Sequence, residues 1–225
     1  MCYSAEASFV VSAGLIGSGL AMRRFKIIEK HEQPIAAIPF IFGLQQFSEG
    51  LVWLGVDGSL SPWLHTSAIY CFTFIAFTLW PIYAPFAMYQ FERSSIRKYI
   101  IPLQVAGLFV GLYLLWCYTC YSELLLQLKE NGCGHLSLSY VFQQPFLEKP
   151  IEYVYLAAST FAYFLTQNKA VRWIIAPIMV LSFPLSKYMA SAYTFPSVWC
   201  LVAAIVSIGI FHFALKSKKK IVNEA

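Results

Sequence analysis

The sequence predicts an all-α integral membrane protein: a bundle of seven transmembrane helices, with the N-terminus outside and the C-terminus in the cytoplasm. Three observations carry that prediction. Hydrophobic residues fill 59% of the 225 positions and charged residues only 12%, far below the roughly one quarter of an ordinary soluble domain. Seven apolar runs stand in the chain, most of them near the ~20 residues that a helix needs to cross the hydrocarbon core. Basic residues gather on alternate connections between those runs. Together these features exclude a soluble catalytic domain, a disordered tail and a nucleic-acid binder.

The runs are residues 4–22, 34–54, 63–91, 99–118, 151–166, 171–187 and 195–215. In lipid each must be helical, because every backbone N–H and C=O needs an internal partner. The third is overlong, which implies tilt or an extension beyond the bilayer, and the fifth is short for a span. The first lacks a basic segment ahead of it, so it reads as a first helix rather than a cleaved signal. Its Ala13, Gly17 and Ala21, at four-residue spacing, read as a close-packing face. Residues 1–215 then form one transmembrane domain and residues 216–225 a basic cytoplasmic tail.

Orientation follows from the connections. Arg23, Arg24, Lys26 and Lys30 follow the first run, Arg93, Arg97 and Lys98 the third, and Lys169 and Arg172 the fifth. Lys216, Lys218, Lys219 and Lys220 follow the seventh, which leaves only Lys129, Lys149 and Lys187 for the opposite side. The positive-inside rule assigns the basic side to the cytoplasm. The formal charge of +5 therefore reports topology and attraction to anionic lipid rather than an acidic partner.

Ionisable residues inside spans are costly and default to functional hypotheses. Gln45, Gln46 and Glu49 lie three and four residues apart on one face of the second run, and Trp53 continues that face by another turn. Three such side chains cannot all meet lipid, so they must point into the bundle, where a water-accessible site is favoured somewhat over a structural hydrogen-bond cluster. Glu6, His65, Glu152 and Lys187 fall at the outer ends of their runs, close enough to the boundary to snorkel. The titratable groups thus crowd the outer third, which predicts an outward-facing polar pocket centred on Glu49. Pro81 and Pro85, and likewise Pro177 and Pro184, are expected to bend their helices. The long outer segment, residues 122–150, reads as a lid over the mouth or a stretch on the outer leaflet, and at least as readily as a plain connecting hairpin.

Cys117-Tyr-Thr-Cys120 stands at the outer end of the fourth run and Cys133 in the outer segment. A thiol oxidoreductase working through these residues is the sharp reading, and a loop-stapling disulfide or ordinary small apolar residues the plain one. The four histidines form no pair at helical spacing, and Glu6, Glu49 and His65 would make a metal or hydrolase site only if the helices gathered them. No phosphate-binding, dinucleotide or serine-hydrolase motif is present, and the sequence identifies no cofactor and no oligomeric state.

Three blocks carry a resemblance: Met1-Cys-Tyr-Ser-Ala-Glu-Ala-Ser-Phe9, Gly43-Leu-Gln-Gln-Phe-Ser-Glu-Gly-Leu-Val-Trp53 and Phe74-Ile-Ala-Phe-Thr-Leu-Trp-Pro-Ile-Tyr-Ala-Pro85. In these the chain resembles a family of uncharacterised bacterial multi-pass membrane proteins, with Tyr3 where the usual residue is Phe. The likeness covers roughly the first ninety residues. It implies that Cys2, Glu6, Gln45, Gln46, Glu49, Trp53, Trp80 and Pro81 belong to recurring blocks, supports seven spans in a bacterial inner membrane, and brings no established activity.

The expected function is binding or transport of a small ligand or ion from the outer side. Glu49 would bear the charge, Gln45 and Gln46 the hydrogen bonds, with Trp53, Glu6, His65 and Lys187 as neighbours. The alternatives are a membrane enzyme, either the oxidoreductase of Cys117 and Cys120 or a hydrolase of Glu6, Glu49 and His65, and a structural or assembly subunit. The expected partners are the lipid bilayer and a small-molecule or ion ligand from the outer side, and nucleic acid is not among them.

Overall fold

The computed structural model describes residues 4–24, 30–130, 136–146 and 148–189, together with Gly209. Six substantial helices and one β-hairpin make up the described residues. Helix α1 spans Ala5–Arg24. The Ser4 hydroxyl accepts the Ala7 N–H at 3.2 Å, satisfying one of the amides that a first turn leaves open. Its inward face is Ala5, Ser8, Ser12, Leu15, Gly19 and Met22, alternating three and four residues. Ala13 and Gly17 are exposed, and a Cβ at Gly17 would touch nothing, so the expected close-packing stripe does not meet a described neighbour. Two serines four residues apart determine the face instead, since their hydroxyls must turn away from lipid.

A short turn, Gln33–Ala36, leads into α2, Ile38–Val56, with prolines near both starts where the missing N–H costs nothing. Helices α1 and α2 run antiparallel in close contact. Ser12 Oγ donates to the Gly43 carbonyl at 2.8 Å. A Cβ at Gly43 would lie 3.0 Å from Ile16 N and 3.2 Å from Ser12 O, so the glycine lets the backbones approach.

Helix α3, Pro62–Phe91, is continuous but carries a π-helical segment at Phe74–Leu79. Prolines explain it. Within the π register the donor for the Ala76 carbonyl would be Pro81, which has no N–H. Tyr155 Oη supplies that bond from a neighbouring helix at 2.6 Å. Pro85 likewise withholds the α-helical donor of the Pro81 carbonyl.

Helix α4, Ile101–Trp116, ends in a π turn, Cys117–Tyr121. Its inner face is Gly107, Val110, Gly111 and Leu114, whereas Val105, Leu108, Phe109 and Leu112 are exposed on the other side. Apolar residues on both faces are what a helix facing lipid presents. Gly107 lies so close to α3 that a Cβ there would land on the Pro81 carbonyl oxygen, and one at Gly111 would be 2.7 Å from the Thr78 oxygen. Helix α5, Glu148–Thr160, continues as a short 3₁₀ turn at Phe161–Phe164. A π turn, Val171–Ile175, precedes α6, Ala176–Met189.

Four helical segments are long and apolar enough to cross a membrane: Ala5–Arg23, Lys30–Val56, Pro62–Phe91 and Ser95–Tyr121. They coincide with the first four expected runs. The fifth run yields α5, whose 13 residues span about 20 Å, short of a bilayer core. The sixth yields α6, with a shorter apolar stretch at Val171–Ser182. The seventh run, apart from Gly209, and the basic tail lie outside the described residues. The described residues therefore give four candidate spans rather than seven.

The all-α expectation also needs correction. Strands β1, Leu125–Glu130, and β2, Leu136–Val141, pair antiparallel with Leu126 opposite Tyr140 and Leu128 opposite Leu138. The run Leu136-Ser-Leu-Ser-Tyr140 alternates apolar and polar at period two, which suits a strand and not a helix.

Two apolar clusters stack along the bundle. One, at the basic end, joins Leu15, Met22, Phe42, Trp80, Met88, Phe91 and Tyr163. The other, at the hairpin end, joins Ala5, Val52, Trp53, Phe72, Leu138 and Tyr140. At the basic rim Glu92 ties two loops together. Its carboxylate accepts the Ser94 and Gln167 amides, each at 2.8 Å. Burial works to raise this acid, but the Ser94 hydroxyl, those amides and the Thr166 hydroxyl outweigh it and hold the group at about 2.

Candidate functional site

Between the two apolar clusters lies a layer of polar side chains. Gln45, Gln46 and Glu49 are fully enclosed, at 2%, 1% and 0% exposure. Helix α2 sets them on one face because 45 and 49, and 46 and 49, are separated by about one turn. Gln46 Nε2 donates to Glu49 Oε2 at 2.9 Å. Trp80 Nε1 donates to Gln45 Oε1 at 2.9 Å, and its ring lies 4.1 Å from that of Phe42.

The π segment helps to aim Trp80. In an unbroken α-helix, Phe72 and Trp80 would sit about 80° apart around the axis. The wider π turn between them brings both back toward α2. From α1, Ser12 bonds the Gly43 carbonyl, while Ser8 is completely buried and its hydroxyl has no hydrogen-bond partner among the described residues. Gly43 meets Ser12 and Ile16, and Gly50 meets Phe9, so Ser8, one residue before Phe9 on an antiparallel helix, stands near the level of Gly50, next to Glu49. Ser48, one residue from Glu49, bonds the Leu44 carbonyl and approaches Cys71 Sγ at 3.2 Å.

Trp53 sits on the same buried face, in the hairpin-end cluster. There Tyr140 stacks on Phe72 with ring centroids 4.4 Å apart. The hairpin of β1 and β2 thus lies over the end of the polar layer. The outward-facing pocket expected at Glu49 is closed in this structure, since the carboxylate and both amides are sealed from the surface.

The other expected neighbours are dispersed. Glu6 is exposed on α1. His65 packs its ring against Gly55, six residues and about 9 Å along α2 from Glu49. Among the described residues no three His, Cys, Asp or Glu side chains are gathered to hold a metal ion, so the Glu6, Glu49 and His65 grouping does not form. Lys187 falls on α6, and its side chain lies outside the described residues. Cys117 and Cys120 are both free thiols, the first buried and the second exposed, and Cys133 lies outside the described residues.

Sequence reasoning named the α2 half of the layer and missed the groups that complete it, namely Trp80 from α3 and Ser8 and Ser12 from α1. The two serines carried a usable signal, because hydroxyls four apart inside an apolar run mark a polar face. A family model described as "Family of unknown function (DUF6629)" matches residues 1–225. No curated protein and no solved structure matches the chain.

Proposed function

Starting from a chain that belongs to this family of unknown function along its full length, we propose that it is a multi-pass membrane protein that binds or transports a small ligand or ion through Glu49. In this reading residues 1–215 form one seven-span domain of a bacterial inner membrane, with the N-terminus outside and the basic tail, residues 216–225, in the cytoplasm. Four apolar helices of spanning length support the membrane assignment. The observation that carries the functional reading is the enclosed polar layer between two apolar clusters: an acid, two amides and a serine hydroxyl without a partner among the described residues. Apolar packing alone would be the less costly filling for that volume, because buried polar groups must each be satisfied.

Glu49 is the charge-bearing group, Gln46 orients its carboxyl, and Gln45 is held by Trp80. Trp80 is therefore also a reporter. Titrating the full chain in proteoliposomes with sodium, with potassium and with acid should give a saturable change in tryptophan emission. Glu49→Gln should abolish the response while circular dichroism stays unchanged. A response that survives in Glu49→Gln, or no response from wild type to any of the three, refutes this reading.

A second reading rests on the same hydrogen bonds. Gln45 with Trp80, and Gln46 with Glu49, are satisfied within the protein, as they would be in a structural clasp of an assembly subunit. That reading expects Glu49→Gln to lower stability and to leave no titration to lose.

A further inference from the structure

A second site lies at the other end of α1, away from the polar layer and independent of it. Where α1 ends and the Gln33–Ala36 turn begins there is a groove of about 300 Å³. Its walls are Leu20, Ala36, Ala37 and Phe40, and its polar groups are Arg23 and Gln33. Gly19 forms part of the floor, where a Cβ would press to 3.0 Å from Phe40 Cβ. The groove stands at a membrane boundary, because Arg23 closes one apolar span, Ala5–Arg23, and Lys30 opens the next.

The Arg23 side chain is exposed, and it makes no ion pair or hydrogen bond with any described residue. Two other cations at this rim are engaged: Arg97 lies over the Tyr89 ring at 3.7 Å, and Arg172 Nε bonds the Phe164 carbonyl at 3.0 Å.

We propose that this groove holds one acyl chain of an anionic phospholipid, with the lipid phosphate on Arg23. The argument is one of complementarity. A soluble anion would leave the apolar walls unused, and a zwitterionic lipid would not be favoured by an unopposed guanidinium. An anionic lipid uses both, and its headgroup and chain meet at the depth where the groove changes from charged to apolar.

Native mass spectrometry of the full chain, released from detergent with equal phosphatidylglycerol and phosphatidylcholine, tests the assignment. Wild type should retain phosphatidylglycerol preferentially. Arg23→Gln should cut that preference about fivefold, the effect of one basic side chain near a membrane surface. Ala37→Phe, which fills the groove, should lower retention of the lipid itself. Arg97→Gln, at the same rim, should change neither. Because Arg23 is exposed, its substitution carries the test even if Ala37→Phe fails to fold.

Three results would overturn the proposal. One is an Arg23→Gln protein with the wild-type preference. Another is an equal loss in Arg97→Gln, which would mean diffuse surface charge. The third is displacement of the lipid by excess glycerol 1-phosphate, which would mark a site for a free phosphate.

Discussion

Replacing Gly107 by alanine tests the closest glycine contact among the described residues. A glycine-to-alanine change inside an exposed helix should stabilise it by about 0.5–1 kcal/mol through backbone entropy. Gly14 supplies that reference, because a Cβ there meets nothing within 4 Å. At Gly107 the new Cβ falls on the Pro81 carbonyl oxygen and also comes within 3.3 Å of Ala158 Cβ. The oxygen belongs to backbone, so it cannot swing aside as a side chain would. Helices α3 and α4 must separate, at the about 1–3 kcal/mol typical of overpacking, which exceeds the entropic gain. Separation would also strain the 2.8 Å bond between Thr78 and Tyr118. The entropic gain is common to both variants, so they should differ by about 1–3 kcal/mol when unfolded in one detergent by heat or by dodecyl sulfate. Gly111→Ala should fall between them, because part of its clash is with the flexible Ile82 side chain. A Gly107→Ala protein as stable as Gly14→Ala would show that the α3–α4 packing described above is wrong.

Two further outcomes follow from the same carbonyl and carboxylate accounting. Tyr155→Phe deletes the hydroxyl that stands in for the N–H missing at Pro81, leaves the Ala76 carbonyl unpaired, and should cost about 1–3 kcal/mol in the same unfolding assay. Glu92→Gln removes a carboxylate held at about 2, below its ordinary value of 4.5. A depressed acid contributes its stability above the unfolded value and loses it as pH falls through the folded one. Wild type should thus outlast Glu92→Gln at neutral pH, and the gap should close between about pH 4.5 and pH 2. A gap that widens on acidification would remove Glu92 from its role as the tie between the two loops.

The spans were legible because composition and run length report directly on the bilayer. Four of the runs coincide with helices of spanning length, within a few residues at each end. The polar face of α2 was equally legible, since 45, 46 and 49 obey helical spacing whatever surrounds them. What escaped was information held by two segments at once. The Ala13, Gly17, Ala21 stripe looked like a packing face on its own helix, but α1 turns Ser8 and Ser12 inward instead. The Gly107-x-x-x-Gly111 pair escaped because its purpose depends on the Pro81 and Thr78 carbonyls of another helix. The hairpin had local signals, the alternation of residues 136–140 and an Asn131-Gly132 pair. They agree with the connecting hairpin expected for residues 122–150, whose two strands the apolar runs around it did not reveal.

The structure also bears on how a ligand would reach Glu49 under the proposed function. Toward the basic end the layer is closed by Phe42 and Trp80, and Trp80 is fixed three ways: by its bond to Gln45, by its ring contact and by its place just after the π segment. Opening there would leave the Gln45 oxygen without its indole donor. Toward the other end the cover is Trp53 and Phe72 beneath Leu138 and Tyr140 of a two-stranded hairpin. A hairpin of this size is marginal by itself and stays in place through the apolar side chains it lays on the bundle. Lifting it breaks side-chain packing and leaves the buried hydrogen bonds of the layer intact. The less costly route to Glu49 is therefore from the hairpin end, and movement of Leu138 and Tyr140 off Phe72 is the step that would open it.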